Sequence, residues 1–253
     1  MQSYSSRVDM TESQTLLHAN KLCVGYPNID VLTNVDLAVC RGETVGLIGL
    51  NGAGKTTLIK TLLGLRQKKA GTFSLNYKSD KKREGKQDAV AYLPEKFEPP
   101  AFLTGYEFIA FSLSVYGKKL DREAIRLAVH DLAFDLKFLD KKVSSYSKGM
   151  RQKIGLLATV LTGCDLMILD EPMSGLDPFS RSLVKDLIKA EKAKGVSFLI
   201  SSHVLADMEE ICDKVTIIDQ GKIHFFGAPH EFVEMRDGET LERCFMDLVL
   251  HNR

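Results

Sequence analysis

Residues 44–57 read T-V-G-L-I-G-L-N-G-A-G-K-T-T. An apolar run breaks into a glycine-rich loop that carries Gly49, Gly54, Lys55 and Thr56 at the spacing G-x-x-x-x-G-K-[ST]. That pattern functions only between a buried strand and a helix, because the loop's backbone N–H groups and the helix dipole must point at one place. Both flanks comply: T-V-G-L-I-G is strand-like, and L-I-K-T-L-L-G (58–64) has a helical period. Each residue type has a task. Gly49, Gly52 and Gly54 let the backbone curl, so that Asn51, Gly52, Ala53 and Gly54 form a cradle for phosphate oxygens. Lys55 sets an ammonium against the β- and γ-phosphates, and the Thr56 hydroxyl is a ligand for Mg²⁺. Thr57 opens the helix and donates to a phosphate.

The rest of the chain agrees with a sheet built around that strand. A-V-A-Y-L (89–93), L-M-I-L (166–169), S-F-L-I-S (197–201) and K-V-T-I-I-D (214–219) hold apolar residues side by side rather than in alternation. Strands covered on both faces read this way. Interleaved with helical patterns, they imply an α/β fold with a mostly parallel core sheet. Leu16 to Val39 reads as short strands and turns, an antiparallel β edge. Thr104 to Leu161 reads as an all-helical insert with breaks near Gly117 and Ser144–Gly149.

Carboxylates appear where the sheet would need them. L-M-I-L-D-E-P (166–172) is a buried strand ending at Asp170, placed to hold Mg²⁺ directly or through water. Glu171 follows at the strand's C-terminal end, where ligands collect in open α/β sheets, and a carboxylate there can orient and deprotonate an attacking water. His203 lies at another strand-to-helix junction, in F-L-I-S-S-H-V. On the residues alone, contact with a γ-phosphate and an incidental surface position stand equal for it. A second anion site is written at S-S-Y-S-K-G-M-R-Q (144–152), where Ser147 and Gly149 stand at the mouth of a helix.

Composition excludes several alternatives. A formal net charge of +1 gives no global field for nucleic acid, and the basic run K-S-D-K-K-R-E-G-K-Q (78–87) reads as a solvated hairpin tip before it reads as a lipid or RNA contact. Cys23, Cys40, Cys164, Cys212 and Cys244 are scattered without metal-ligand spacing, as free thiols of a reducing compartment are. The polar N-terminal stretch reads as a short frayed tail without an apolar signal region. The longest apolar candidate, Ile154 to Cys164, is too short to cross a bilayer, so a cytosolic chain is expected, with any membrane role reached through a partner.

In their order, these motifs resemble the nucleotide-binding subunit of an ABC transporter, over nearly the whole chain from Leu16 onward. S-K-G-M-R-Q (147–152) is similar to the family's L-S-G-G-Q signature, L-M-I-L-D-E-P to its Walker B strand, and S-G-L-D (174–177) to its D-loop. The resemblance makes His203 the switch histidine and Tyr26, in L-C-V-G-Y-P-N, the aromatic that stacks on adenine. It implies ATP and Mg²⁺ as cofactors and a head-to-tail dimer, homodimeric or pseudo-symmetric. Each ATP would lie between one chain's P-loop and its partner's Ser147 and Gly149. It implies integral membrane permease subunits, a peripheral place on the cytoplasmic face, and no nucleic-acid partner.

The family's Q-loop glutamine is here Glu95, a carboxylate still able to ligate Mg²⁺. Tyr146, Lys148 and Met150 depart from the signature, and with Y-L-P-E and the tail T-L-E-R-C-F-M-D-L (240–248) they resemble the branch whose permeases are ABC-2-type exporters. The expected organisation is a P-loop core with its β subdomain over 16–95 and 164–253, a helical subdomain over 96–163, and a flexible tail over 1–15. Soluble relatives acting on ribosomes or DNA carry paired cassettes or long coiled coils, which this chain lacks, and intact Lys55, Asp170, Glu171 and His203 disfavour a scaffold that only binds nucleotide.

Overall fold

A computed structural model describes residues 15–76, 90–236, 238 and 240–251. The basic run at 78–87 and residues 1–14 of the expected tail lie outside the described residues; Thr15, the last residue of that tail, already belongs to a strand. The chain begins with a long hairpin, β1 (Thr15–Tyr26) and β2 (Ile29–Cys40), and continues through β3 (Thr44–Ile48) into α1 (Lys55–Leu62). Next come β4 (Ala70–Leu75) and β5 (Val90–Leu93), then the helices α2 (Gly105–Val115), α3 (Arg122–Asp131) and α4 (Lys148–Leu161). The remainder alternates β6 (Leu166–Asp170), α5 (Pro178–Ala193), β7 (Ser197–Ser202), α6 (Leu205–Ile211) and β8 (Lys214–Asp219). It closes with β9 (Lys222–Gly227), α7 (Pro229–Met235) and α8 (Leu241–His251).

The core is a six-stranded sheet in the order β5-β6-β7-β3-β8-β9, parallel except for β9. A separate three-stranded antiparallel sheet, β2-β1-β4, lies beside α1. Neighbouring residues of one strand enter opposite cores, which is why the core strands carry consecutive apolar residues. Leu166, Ile168 and Leu199 join α1 and the antiparallel sheet in one buried cluster. Met167, Leu169, Phe198 and Ile200 join α2 through α8 in the other. The expected α/β class with a mostly parallel sheet, an antiparallel edge and helices is what the molecule adopts.

Three local readings change. Leu16–Val39 forms two twelve-residue strands rather than short ones, turning at Pro27 and Asn28. Bulges at Lys21 and Asn34, both with positive φ, break the alternation that a single long strand would show. α1 starts at Lys55, so Thr57 is inside its first turn rather than opening it. The polar loop residues build that turn and leave no apolar period to read. β9 was not anticipated; Gln220 and Gly221, with φ 47° and 74°, make the tight turn that returns it against β8.

Phe198 is among the largest fully buried side chains and sits in the middle of the core sheet. Phe198→Ala is expected to cost about 3–5 kcal/mol. It should lower the urea midpoint without altering the slope, as equilibrium unfolding followed by circular dichroism would measure.

Candidate functional site

Strand register assembles the site. In the parallel pairs, Ile48 faces Ser202 and Asp170 faces Ser201, so β3, β6 and β7 end level with one another. The next residues of all three, Gly49, Glu171 and His203, emerge along one edge of the sheet. Gly54 turns the loop into α1 with φ 110°, and a Cβ added there would meet Leu32 Cδ2 at 2.6 Å. Only glycine accepts both that backbone and that approach. Asn51 and Gly52 are exposed at the loop's crown, while Ala53 and Gly54 are buried beneath it, and Thr57 is half-buried.

Lys55 is only 7% exposed. Its Nζ donates to the carbonyl oxygens of Gly49 at 2.7 Å and Leu50 at 3.4 Å. Burial pushes the ammonium's pKa down, against the charges of Glu171, Asp170 and Glu95, which push it up. A desolvated cation satisfied by neutral carbonyls is a strong attractor for anionic oxygens.

Thr56 Oγ1 donates to Asp170 Oδ2 at 2.9 Å, which joins the P-loop helix to the end of β6. Asp170 is almost fully buried, and its Oδ1 accepts from the Ser201 hydroxyl. The Ser201 oxygen in turn accepts from the Glu171 N–H at 3.0 Å, and the Ser201 carbonyl accepts from the same group at 3.2 Å. These bonds hold Glu171 in the left-handed region, φ 53°, where a residue with a Cβ is strained. Its Oε2 accepts from His203 Nδ1 at 2.8 Å. With Nδ1–H so engaged, a neutral ring presents Nε2 as an acceptor, and donation from that nitrogen requires the imidazolium.

The residues expected to bind Mg²⁺ fit it in part. Octahedral Mg²⁺ ligands at about 2.1 Å from the metal stand about 3 Å from one another. The 2.9 Å between Thr56 Oγ1 and Asp170 Oδ2 matches one such edge. Among the described residues no cluster of three or more His, Cys, Asp or Glu side chains is placed to hold a metal ion. Glu95 is exposed beyond β5 and touches this group by charge alone, acting on Lys55 and on Tyr92, whose phenol burial pushes up to about 12.

The remaining candidates stand apart. Ser147 caps α4, its Oγ accepting from the Met150 N–H at 3.2 Å, and its surface is exposed. A Cβ at Gly149 would lie near Leu176 and the Gly175 carbonyl, so the signature adjoins the D-loop. Among the described residues no hydrogen bond joins Ser147 or Gly149 to residues 49–57 of the same chain. The D-loop's Asp177 caps α5, accepting from the Ser180 N–H and hydroxyl. Tyr26 ends β1 with its ring exposed beside Arg66.

Ser201 and Gln152 belong to this constellation although neither was among the candidate site residues. Gln152 is buried, and its side-chain amide donates to the Pro172 carbonyl at 2.9 Å, tying α4 to the turn after Glu171. The available signal was positional: Ser201 closes an apolar run two residues before His203, and Gln152 ends the motif begun by Ser147.

The ABC transporter family model matches residues 32–174, more than half of the chain and most of the motifs above. This chain belongs to the ABC transporter ATP-binding family. The ABC transporter ATP-binding protein YthP of Bacillus subtilis is 35% identical over 245 residues, covering 94% of this chain and 98% of YthP. A Synechocystis ABC transporter ATP-binding protein is 39% identical over 214 residues, 83% of this chain, and the match spans only 60% of that relative's length. A solved ATP-binding subunit of an ABC transporter superposes with a TM-score of 0.82 at 32% identity, over 92% of this chain and 99% of that one. A dimeric ATP-binding cassette in a post-hydrolysis state, bound to ADP and Pi, shares the fold with a TM-score of 0.74 at 17% identity, over 84% and 98%. The protein is an ATP-binding subunit of an ABC transporter with the fold of an ABC ATPase. No helix among the described residues is long and apolar enough to cross a membrane.

Ser201→Ala removes the hydroxyl between Asp170 and Glu171. It is expected to cost about 1–3 kcal/mol, the penalty of a buried acceptor left unpaired. Urea unfolding should register that loss, and ATP turnover should fall more than ATP affinity does.

Proposed function

We propose that this subunit hydrolyses ATP at composite sites, each made by the P-loop of one protomer and the signature helix of its partner. The observation that carries the reading is the division of the site residues. Lys55, Thr56, Asp170, Glu171 and His203 converge in a single chain. Ser147 caps a well-formed helix, Gly149 lies against the D-loop, and among the described residues neither is hydrogen-bonded to residues 49–57 of its own chain. A symmetric pair uses both halves twice.

In this mechanism the backbone of Asn51 to Gly54 and the Lys55 ammonium take the β- and γ-phosphates, with Lys55 exchanging its carbonyl partners for phosphate oxygens. Thr57 adds a hydroxyl, and the Tyr26 ring receives the adenine. Thr56 and Asp170, with Glu95 reaching in, would hold Mg²⁺, whose charge stabilises that developing on the phosphates. Glu171 accepts a proton from water as the water oxygen bonds to the γ-phosphorus and the bond to the bridging oxygen breaks, giving ADP and phosphate. His203 holds the Glu171 carboxylate and faces the γ-phosphate. The partner's Ser147 side chain and the N–H groups of its α4 hold that phosphate from the other side. Phosphate loss removes the shared anion, and the dimer opens.

We infer a division into a core over 16–95 and 164–253 and a helical lobe over 96–163, because α2, α3 and α4 follow one another between β5 and β6. Permease subunits in the membrane would receive the motion, with the ATPase peripheral on the cytoplasmic side. Y-L-P-E, Y-S-K-G-M-R-Q and the terminal helix α8 support an ABC-2-type exporter.

Glu171→Gln keeps the hydrogen-bonding shape and removes the base. It is expected to retain ATP affinity, to lower turnover at least about a hundredfold, and to trap an ATP-bound dimer on size exclusion. Turnover close to wild type would remove Glu171 from the role. Mixing Ser147→Arg with Lys55→Ala protein tests the shared site separately. The mixed dimer has both lesions in one site and an intact partner site, so activity should reappear at no more than one site per dimer. Mixtures as inactive as the separate variants would exclude sites shared between chains.

A further inference from the structure

An aromatic ring at a protein surface ordinarily turns freely, and a base that stacks on it must first stop it. Tyr26 is 55% exposed, so burial does not fix its ring. Arg66 does. Its guanidinium carbon sits 4.2 Å from the ring centroid, and its NH1 donates to the Tyr26 hydroxyl at 3.3 Å. One contact sets the plane of the ring and the other sets its rotation. Arg66 lies just beyond α1, where Gly64, with φ 72°, reverses the chain after the helix. The same helix that begins at the phosphate-binding Lys55 therefore ends beside the residue that grips Tyr26.

The contact has no structural duty that would account for it otherwise. Tyr26 belongs to neither buried cluster, and an exposed pair of this kind adds little to folding. The pair is tuned electrostatically as well: the hydrogen bond from Arg66 is the largest influence lowering the Tyr26 phenol pKa, followed by its charge. More than half of the residue stays open although a guanidinium covers one side of the ring. That leaves apolar ring surface on the side away from Arg66, of the size and flatness that a purine base stacks on.

We propose that Arg66 is a positioning residue for the nucleotide base: it clamps the Tyr26 ring from one face so that the opposite face is set to stack on adenine. Base recognition is then a three-layer stack of guanidinium, phenol and purine, of which the structure holds the first two layers. This rests on the reading of Tyr26 as the base-stacking aromatic. The benefit is preorganisation, since a ring already held loses less freedom when the base arrives. Because Arg66 acts through Tyr26, it affects the base and leaves the phosphates to residues 49–57.

Calorimetry on the full chain, with ATP and with inorganic tripolyphosphate as a probe that has phosphates and no base, separates these contributions. Arg66→Gln is expected to weaken ATP binding about two- to fivefold, the range of an exposed cation–π contact, and to leave tripolyphosphate binding unchanged. Arg66→Lys should recover part of the loss, since an ammonium can cover the ring but lacks the planar fork. Ultraviolet difference titration against Tyr26→Phe isolates this phenol, and its midpoint should rise in Arg66→Gln. Unchanged tripolyphosphate binding in the same variant excludes a general loss of structure, which would abolish the phosphate cradle as well.

Unchanged or tighter ATP binding in Arg66→Gln overturns the clamp, the tighter result meaning that Arg66 occupies the face the base needs. Equal losses for ATP and tripolyphosphate also overturn it, because the effect would then lie in the phosphate cradle. Tyr26→Ala serves as the control on the underlying reading. If it leaves ATP affinity unchanged, base stacking on Tyr26 fails and the clamp with it. If it weakens ATP selectively while Arg66→Gln does not, only the clamp fails.

Discussion

The parallel pairing of β6, β7 and β3 fixes everything at the nucleotide end of this molecule. The register places Asp170 opposite Ser201 and Ile48 opposite Ser202, and each backbone then leaves the sheet within a residue of that line. A displacement of β7 by one residue would turn Ser201 to the opposite face and separate Asp170 from its hydroxyl partner. It would also exchange Phe198 and Leu199 between the two cores they fill. The packing that stabilises the sheet is therefore the packing that aligns the site, and neither can slip alone.

Charge is arranged around that alignment. Asp170 and Glu171, both buried, lie next to each other in sequence and close to a buried lysine. Buried charges of this kind persist when each has a partner. Thr56 and Ser201 serve Asp170, His203 serves Glu171, and the carbonyls of Gly49 and Leu50 serve Lys55. Glu171, Asp170 and Glu95 act on Lys55 through charge, while its hydrogen bonds go to those neutral carbonyls. A triphosphate oxygen would give the ammonium a charged hydrogen-bond partner in their place.

Much of this was legible before any coordinates, because the motifs are local. T-V-G-L-I-G-L-N-G-A-G-K-T-T and L-M-I-L-D-E-P each write a strand, a turn and their chemistry within a few residues. The readings that changed depend on geometry that no short window contains. Lys21 and Asn34 interrupt a long hairpin through backbone bulges, so two long strands look like several short ones. The first turn of α1 is polar, with Lys55 bonded to the loop carbonyls and Thr56 to Asp170, and its start is hidden from an apolar period. Ser201 matters through its pairing across strands with Asp170, which lies 31 residues away in the chain. Arg66 meets Tyr26 across 40 residues with no motif linking them.

The backbone of Glu171 has a consequence for how such a chain can change over generations. At φ 53° its peptide sits where glycine or asparagine would rest more comfortably. A drift toward either would relax the fold, and neither side chain carries the carboxylate that His203 now holds. With Glu171 in the proposed role of base, selection for durability and selection for turnover pull in opposite directions at this codon. A population kept for its robustness alone would be expected to lose its acid here before it lost its phosphate loop.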